Sequence, residues 1–352
     1  MKDIKETFDF DDILIVPRIK TSIQSRYKGI TLPKQLPLFT APMDTVVNLD
    51  NMHEFQKHGI GITLPRTVKY DDYLKWGDKI ESNDIFISLG FEDLDLFYKK
   101  NFKEFDNGQH ILIDVANGHM QRIVDYCREI KRLRPDIKIM VGNIANPNTY
   151  TWYAQNDCVD YIRVGIGNGG GCITTKQSGI GYPMASLIYE IKQIKNELEV
   201  NGYENLPAIV VDGGMKDYSD IIKSLALGAD YVMIGSIFNK TLESCAPSYL
   251  WGIKLKPNLA KKLFMKGFPI KKYFRGMSTK AAQKAMGKTS FKTSEGVVRF
   301  RKVEHLLGGW VENFEHYLRN AMSYANAKTL EEFRGNNEIC KISKNAYDRF
   351  NK

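Results

Sequence analysis

Short apolar runs rich in β-branched residues recur at 36–43, 60–65, 85–90, 110–116, 137–143, 161–165, 208–213 and 231–236. Each closes near a Gly, Pro, Asp or Asn and leads into a segment of helical character. The runs are continuous rather than alternating, the pattern of strands buried on both faces of a parallel sheet. Between them lie amphipathic segments such as 120–133 and 218–227. Eight βα units in about 200 residues predict an α/β chain folded as a (β/α)8 barrel. An open doubly wound sheet is the alternative. Past the eighth run the texture changes. Residues 243–274 hold many lysines and several prolines, and 276–301 are rich in Gly, Ser, Thr and Lys. Both stretches are expected to be mobile loops over the C-terminal rim. A helix over 303–327 then closes the barrel, so 1–352 is expected to form a single domain.

Composition narrows the function classes. With 43% hydrophobic and 26% charged residues the chain has ample material for a core, which excludes wholesale disorder. No apolar run is long enough to cross a bilayer, and the charged first eight residues lack an apolar signal core. A cytoplasmic protein without membrane contact is expected. The net charge of +9 comes from lysines spread along the chain, not from a basic helix or tail. No nucleic-acid interface is expected, whereas a moderate positive field suits an anionic small substrate. Five scattered cysteines without a Cys-x-x-Cys pair argue against a disulfide framework and a zinc ribbon.

The runs end in chemically useful residues: Asp44 after the first, Asp114 and Asn117 after the fourth, Asp212-Gly213-Gly214 after the seventh and Gly235-Ser236 after the eighth. In a barrel all of these lie on the C-terminal rim, where active sites are built. Residues capping helices and closing turns would look the same one at a time. The most informative segment follows the sixth run: Gly165-Ile-Gly-Asn-Gly-Gly-Gly-Cys172-Ile-Thr174-Thr175. Its glycines let backbone N–H and C=O groups face a ligand. A thiol at its end, with a hydroxyl two residues on, is a candidate covalent nucleophile.

This loop, with Ala41-Pro-Met-Asp-Thr45, Asp114-Val-Ala-Asn-Gly118, Gly142-Asn143, Asp212-Gly-Gly214 and Arg275-Gly-Met-Ser278, resembles the IMP dehydrogenase/GMP reductase family. The resemblance runs from Phe8 to about Tyr347, with the motifs in the family's order. The regulatory insert of typical dehydrogenases is missing, since only residues 66–85 separate the second run from the third. The 17 residues between Met277 and Glu295 contain no Arg or Tyr, so the Arg-Tyr pair that activates water in dehydrogenases is missing too. The resemblance therefore implies the reductive branch: GMP and NADPH giving IMP, ammonia and NADP+. A dehydrogenase lacking the insert and an inactive nucleotide-binding barrel are the alternatives.

The resemblance also implies roles. Cys172 would attack purine C2, with Thr174 and Glu295 protonating the leaving amine. Gly213, Gly214, Gly235 and Ser236 would hold the phosphate, and Asp212 the ribose. Gly276, Met277, Ser278, Ser294 and Gly296 would lie at the base. Asp114, Ala116 and Asn117 would flank the nicotinamide, and Arg66 or Lys292 would meet the cofactor's 2′-phosphate. Ser25 and Arg26 would reach a neighbouring subunit's cofactor site in a homotetramer. The carbonyls of Gly167, Gly169 and Cys172 would hold a monovalent cation, K+. One departure stands out. Where the family has a phosphate-holding Ser two residues before the cysteine, this chain has Gly170.

Overall fold

The computed structural model describes residues 4–69, 85–99, 109–287 and 296–350. Strand β1 (Ile13–Ile15) precedes a barrel of eight parallel strands. These are β2 (Leu38–Thr40), β3 (Ile62–Leu64), β4 (Ile85–Leu89), β5 (Gln109–Asp114), β6 (Ile139–Ile144), β7 (Tyr161–Val164), β8 (Ala208–Asp212) and β9 (Tyr231–Ile234). Each falls within or against one of the eight apolar runs. Neighbours pair in chain order, and β9 pairs with β2. The ring closes between β2 and β3, where Thr40 N–H donates to the Gly61 carbonyl at 3.0 Å and Gly61 N–H to that of Leu38 at 2.9 Å. The (β/α)8 barrel is thus the architecture, and the open sheet is not.

Strand parity sorts the side chains into two cores. Outward positions such as Ile111, Ile113, Ile162, Val164, Ile209 and Val211 pack under the surrounding helices. Inward positions fill the barrel with Phe39, Phe86, Leu112, Met140, Val210 and Met233. Phe39 anchors this inner core, its ring 5.7 Å from Phe86 and 5.0 Å from Tyr231. A Cβ on Gly61 would stand 2.3 Å from the Phe39 ring, so only glycine lets that ring fill the centre. Truncating Phe39 to alanine removes about 3–5 kcal/mol.

The helices follow from equally local causes. Helix Gln121–Leu133 buries Ile123, Val124, Cys127 and Ile130, a stripe at helical spacing. Helix Tyr218–Leu227 is started by Asp217, whose carboxylate accepts from Ser219 N–H at 2.8 Å, and is ended by Gly228 at φ +116°. Helix Leu307–Tyr324 lays Trp310, Phe314 and Leu318 on the barrel.

The loops expected over 243–274 and 276–301 are corrected in the described residues. Strands β10 (Ser248–Leu250), β11 (Ile253–Leu255), β12 (Lys271–Arg275) and β13 (Val298–Lys302) form an antiparallel sheet in the order β11-β10-β12-β13. Helix Pro257–Met265 lies between β11 and β12. Alternation does exist in β12, where Lys272 and Phe274 are the buried positions. One of the two is a lysine, which hides the period from a hydrophobicity reading. Its ammonium is satisfied by the carbonyls of Ser244 at 2.8 Å and Ala246 at 2.9 Å. Finally β14 (Ile339–Lys341) pairs with β1, tying the two ends of the described chain together. Among the described residues no helix is long and apolar enough to cross a membrane.

Candidate active site

The C-terminal rim and the antiparallel sheet enclose a cavity of about 510 Å³, within the usual size of a small-molecule site. Its floor is set by strand parity. Asp114, Arg163 and Asp212 each follow an inward core residue by two positions, so all three point into the barrel mouth. Arg163 donates through Nη1 to Asp114 at 2.7 Å and through Nε to Asp212 at 3.0 Å. Burial works against the guanidinium charge, but the charges of Asp212 and Asp114 more than offset it, and its pKa ends above the ordinary value. Asn143 adds a bond to the same Asp212 oxygen, Oδ2, at 2.8 Å. The carboxylate is therefore fixed through one oxygen, Oδ2, and Oδ1 takes no hydrogen bond from the described residues of the wall. Buried charge of this kind persists only when paired and hydrogen-bonded.

The glycine-rich loop follows β7 and lines the same cavity. Cys172 is half-buried there, with its N–H on the Gly169 carbonyl at 2.9 Å and its Sγ 3.1 Å from Thr174 Oγ1. On the other side the loop pairs with the chain around Gly296, through a bridge to Cys172 and a bond from Val297 N–H to the Gly171 carbonyl at 3.1 Å. The loop after β8 meets it closely: a Cβ on Gly213 would stand 2.9 Å from Gly169 Cα, and Gly213 sits at φ +83°. Glycine is required there on both counts. Neither Gly213 nor Gly214 donates its N–H to an acceptor among the described residues.

Two other thiols are buried. Burial pushes the Cys127 thiol well up, and pushes that of Cys245 up to about 12. Both are poor nucleophiles in such surroundings.

The structure gathers most of the residues singled out from sequence. Cys172, Thr174, Asp212, Gly213, Gly214, Gly235, Ser236, Gly276, Met277 and Ser278 all line the cavity. So do Arg66, Asp114, Ala116, Gly167 and Gly169. Asn117 does not; its side chain accepts from the His119 backbone at 3.1 Å instead. Ser25 and Arg26 are also elsewhere, Arg26 being held by Asn320 at 2.8 Å. Lys292, Ser294 and Glu295 lie outside the described residues. Sequence reasoning missed Arg163, although a lone charge inside an apolar strand, Tyr-Ile-Arg-Val, was a usable signal. It gave no role to Arg275 either, which reaches from β12 to an ion pair with Asp44 after β2.

Two ligand sites can be tested against these residues. Arg66 lies at the cavity wall with its Nε buried and without a hydrogen-bond partner among the described residues, packed so closely on Gly90 that a Cβ there would clash with it. An unsatisfied guanidinium donor of this kind fits an anionic group of a dinucleotide. Around the Cys172 loop the available donors are neutral backbone carbonyls. Among the described residues no cluster of acidic, His and Cys side chains suits a divalent metal. Neutral oxygen donors fit a monovalent cation.

Fold and site together define a (β/α)8-barrel protein with a half-buried thiol set in a glycine-lined, ligand-sized cavity. Residues 105–349 match the model of the IMP dehydrogenase / GMP reductase domain, and the chain belongs to that family. A GMP reductase of Onchocerca volvulus is 27% identical over 97% of this chain and 93% of its own length. One of Caenorhabditis elegans is 26% identical over 97% and 94%, and one of Buchnera aphidicola 28% identical over 99% and 98%.

Proposed function

We propose that this protein is an NADPH-dependent reductase that converts GMP to IMP with release of ammonia. The observation that carries the reading is the placement of Cys172 Sγ against Thr174 Oγ1 inside a cavity floored by Asp212 and edged by free backbone donors. The long coverage of relatives named GMP reductase supports it.

Asp212, fixed through Oδ2, offers its other oxygen to the ribose hydroxyls, and Gly213, Gly214, Gly235 and Ser236 offer backbone N–H groups to the phosphate. Gly276, Met277, Ser278, Ser294 and Gly296 hold the base so that its C2 faces Cys172. The thiolate adds to C2. Thr174 and Glu295 supply the proton that lets the C2 amine leave as ammonia, and a thioimidate remains on Cys172. A nicotinamide cofactor, when bound, supplies the hydride to C2. The C–S bond then breaks, Cys172 regains its electron pair, and IMP departs. Arg66, Asp114, Ala116, Asn117 and Lys292 are assigned to cofactor binding, and Ser25 with Arg26 to a neighbouring subunit's cofactor in a tetramer. The carbonyls of Gly167, Gly169 and Cys172 are assigned to K+, which would brace the loop that carries the thiol.

The test follows reduced-cofactor absorbance in two mixtures. Consumption with GMP and NADPH, matched by ammonia and IMP, supports the reading. Production with IMP and NAD+ alone would make the protein a dehydrogenase, and silence in both an inactive binder.

A further inference from the structure

The antiparallel sheet brings one more charge to the cavity's edge. Arg301 lies half-buried on β13, its guanidinium 4.0 Å over the Phe274 ring. Nη1 stands 3.5 Å from the Ser236 carbonyl, the outer limit of a hydrogen bond. Among the described residues it has no ion pair. Glu304, the one carboxylate acting on it, is taken by Lys240 at 2.9 Å. Burial and the neighbouring Arg299 both disfavour its charge, so this cation is held where it costs stability.

Its position explains why that cost is tolerated. A Cβ on Gly170 would lie 3.4 Å from Arg301 Nη2 and 3.9 Å from Ser236 Cβ. The guanidinium thus sits at the junction of Gly170, Ser236 and Phe274, all three of which line the cavity. Any side chain reaching beyond Cβ at position 170 would enter the guanidinium's space. Nearby, the N–H groups of Gly213 and Gly214 have no acceptor among the described residues. Backbone donors on the cavity wall and, just behind Gly170 and Ser236, a guanidinium without an ion pair among the described residues make a receptor for a phosphate.

We propose that Arg301 is the side chain that grips the 5′-phosphate of the nucleotide, through the gap that Gly170 leaves. This rests on the reading of the cavity as a purine nucleotide site, and it deepens that reading. It makes the phosphate contact of this chain ionic. Arg301 is assigned to holding the phosphate and not to the bond changes at C2, so its removal should act on both ground and transition states alike.

The experiment measures equilibrium binding of GMP, guanosine and ribose 5-phosphate to the wild type, Arg301→Gln and Arg301→Lys. The wild type should bind GMP at least 100-fold more tightly than guanosine. Arg301→Gln should cut that ratio at least tenfold, lose ribose 5-phosphate, and raise KM for GMP far more than it lowers kcat. Arg301→Lys should restore part of the ratio. Gly170→Val fills the gap from the barrel side and should produce the same selective loss, should Arg301→Gln fold poorly. Equal weakening of GMP and guanosine, or none, overturns the proposal. Ribose 5-phosphate carries no base, so its loss in the variant would uphold Arg301 even if GMP were never reduced.

Discussion

The barrel wall and the sheet over its mouth treat buried charge in opposite ways. In the wall Arg163 lies between Asp114 and Asp212, with both contacts at hydrogen-bond distance. In the sheet Lys272 is buried on neutral carbonyls, and Arg301 rests on an aromatic ring without a carboxylate. Among the described residues Arg275 is the one cation of the sheet with an acid partner, and Asp44 comes from the barrel. A wall whose charges are paired and hydrogen-bonded to one another is expected to keep its geometry whether or not a ligand is present. A sheet with spare positive charge is completed by an anion, which suits the half of a site that must recognise one. On the proposed reading the barrel side carries the nucleophile, and the sheet the charge that selects the substrate.

The largest expected effect lies on the barrel side. Cys172→Ala should abolish turnover while GMP affinity stays within about tenfold, or 1.4 kcal/mol, because the thiol enters only in the chemistry. Turnover assays beside equilibrium titration check this, and normal turnover would end the covalent mechanism.

Glu295 precedes β13 in the sequence, and the proposed mechanism gives it the proton for the leaving amine. Glu295→Gln should slow ammonia departure by roughly 10²–10⁴-fold, the usual worth of a positioned acid. Formation of adduct and reduced cofactor from IMP and NADP+ should be much less affected. Stopped-flow absorbance separates the two steps, and equal slowing of both would assign Glu295 to general positioning.

The stability contrast is sharper still. Arg163→Met strips the partner from two carboxylates at the barrel mouth and should cost about 3–5 kcal/mol. Arg301→Met removes a partly buried cation that has no ion pair among the described residues and should change stability by less than about 0.5 kcal/mol, or raise it. Denaturant midpoints compare the two, and similar losses would erase the distinction between wall and sheet.

Lys272 gives an effect confined to alkaline pH, with a definite sign. Burial lowers its pKa to about 8 from the model-compound 10.5. Between those values the unfolded chain holds a proton that the folded one has released, so stability rises as pH increases from 8 to 10.5. The gain is at most about 3 kcal/mol. Lys272→Met should flatten that rise in a pH series of unfolding curves.

How much was legible follows from the same contrast. Every barrel strand announced itself, because burial on both faces requires an unbroken apolar run, as in Ile-Phe-Ile-Ser-Leu of β4. The rim residues Asp114, Asp212 and Cys172 were legible because they stand where such runs stop. Arg163 was missed because its acids lie 49 residues away on either side, a distance only the barrel's closure removes. The sheet was taken for loops because β12 reads Lys-Lys-Tyr-Phe-Arg and β13 Val-Arg-Phe-Arg-Lys. Arg301 was invisible for the same reason, one basic residue in a basic strand. Its meaning depends on Gly170, whose missing side chain was noticed, but not what fills its place.

The most direct test of the account is the fate of the thiol during the reaction. Protein mixed with IMP and NADP+ in the absence of ammonia, quenched in acid and digested, should yield a Cys172 peptide carrying the purine nucleotide, with reduced cofactor formed in equal amount. Added ammonia should discharge that adduct as GMP. Reduced cofactor formed with Cys172 unmodified, or an adduct discharged as XMP by water with ammonia ignored, would contradict it.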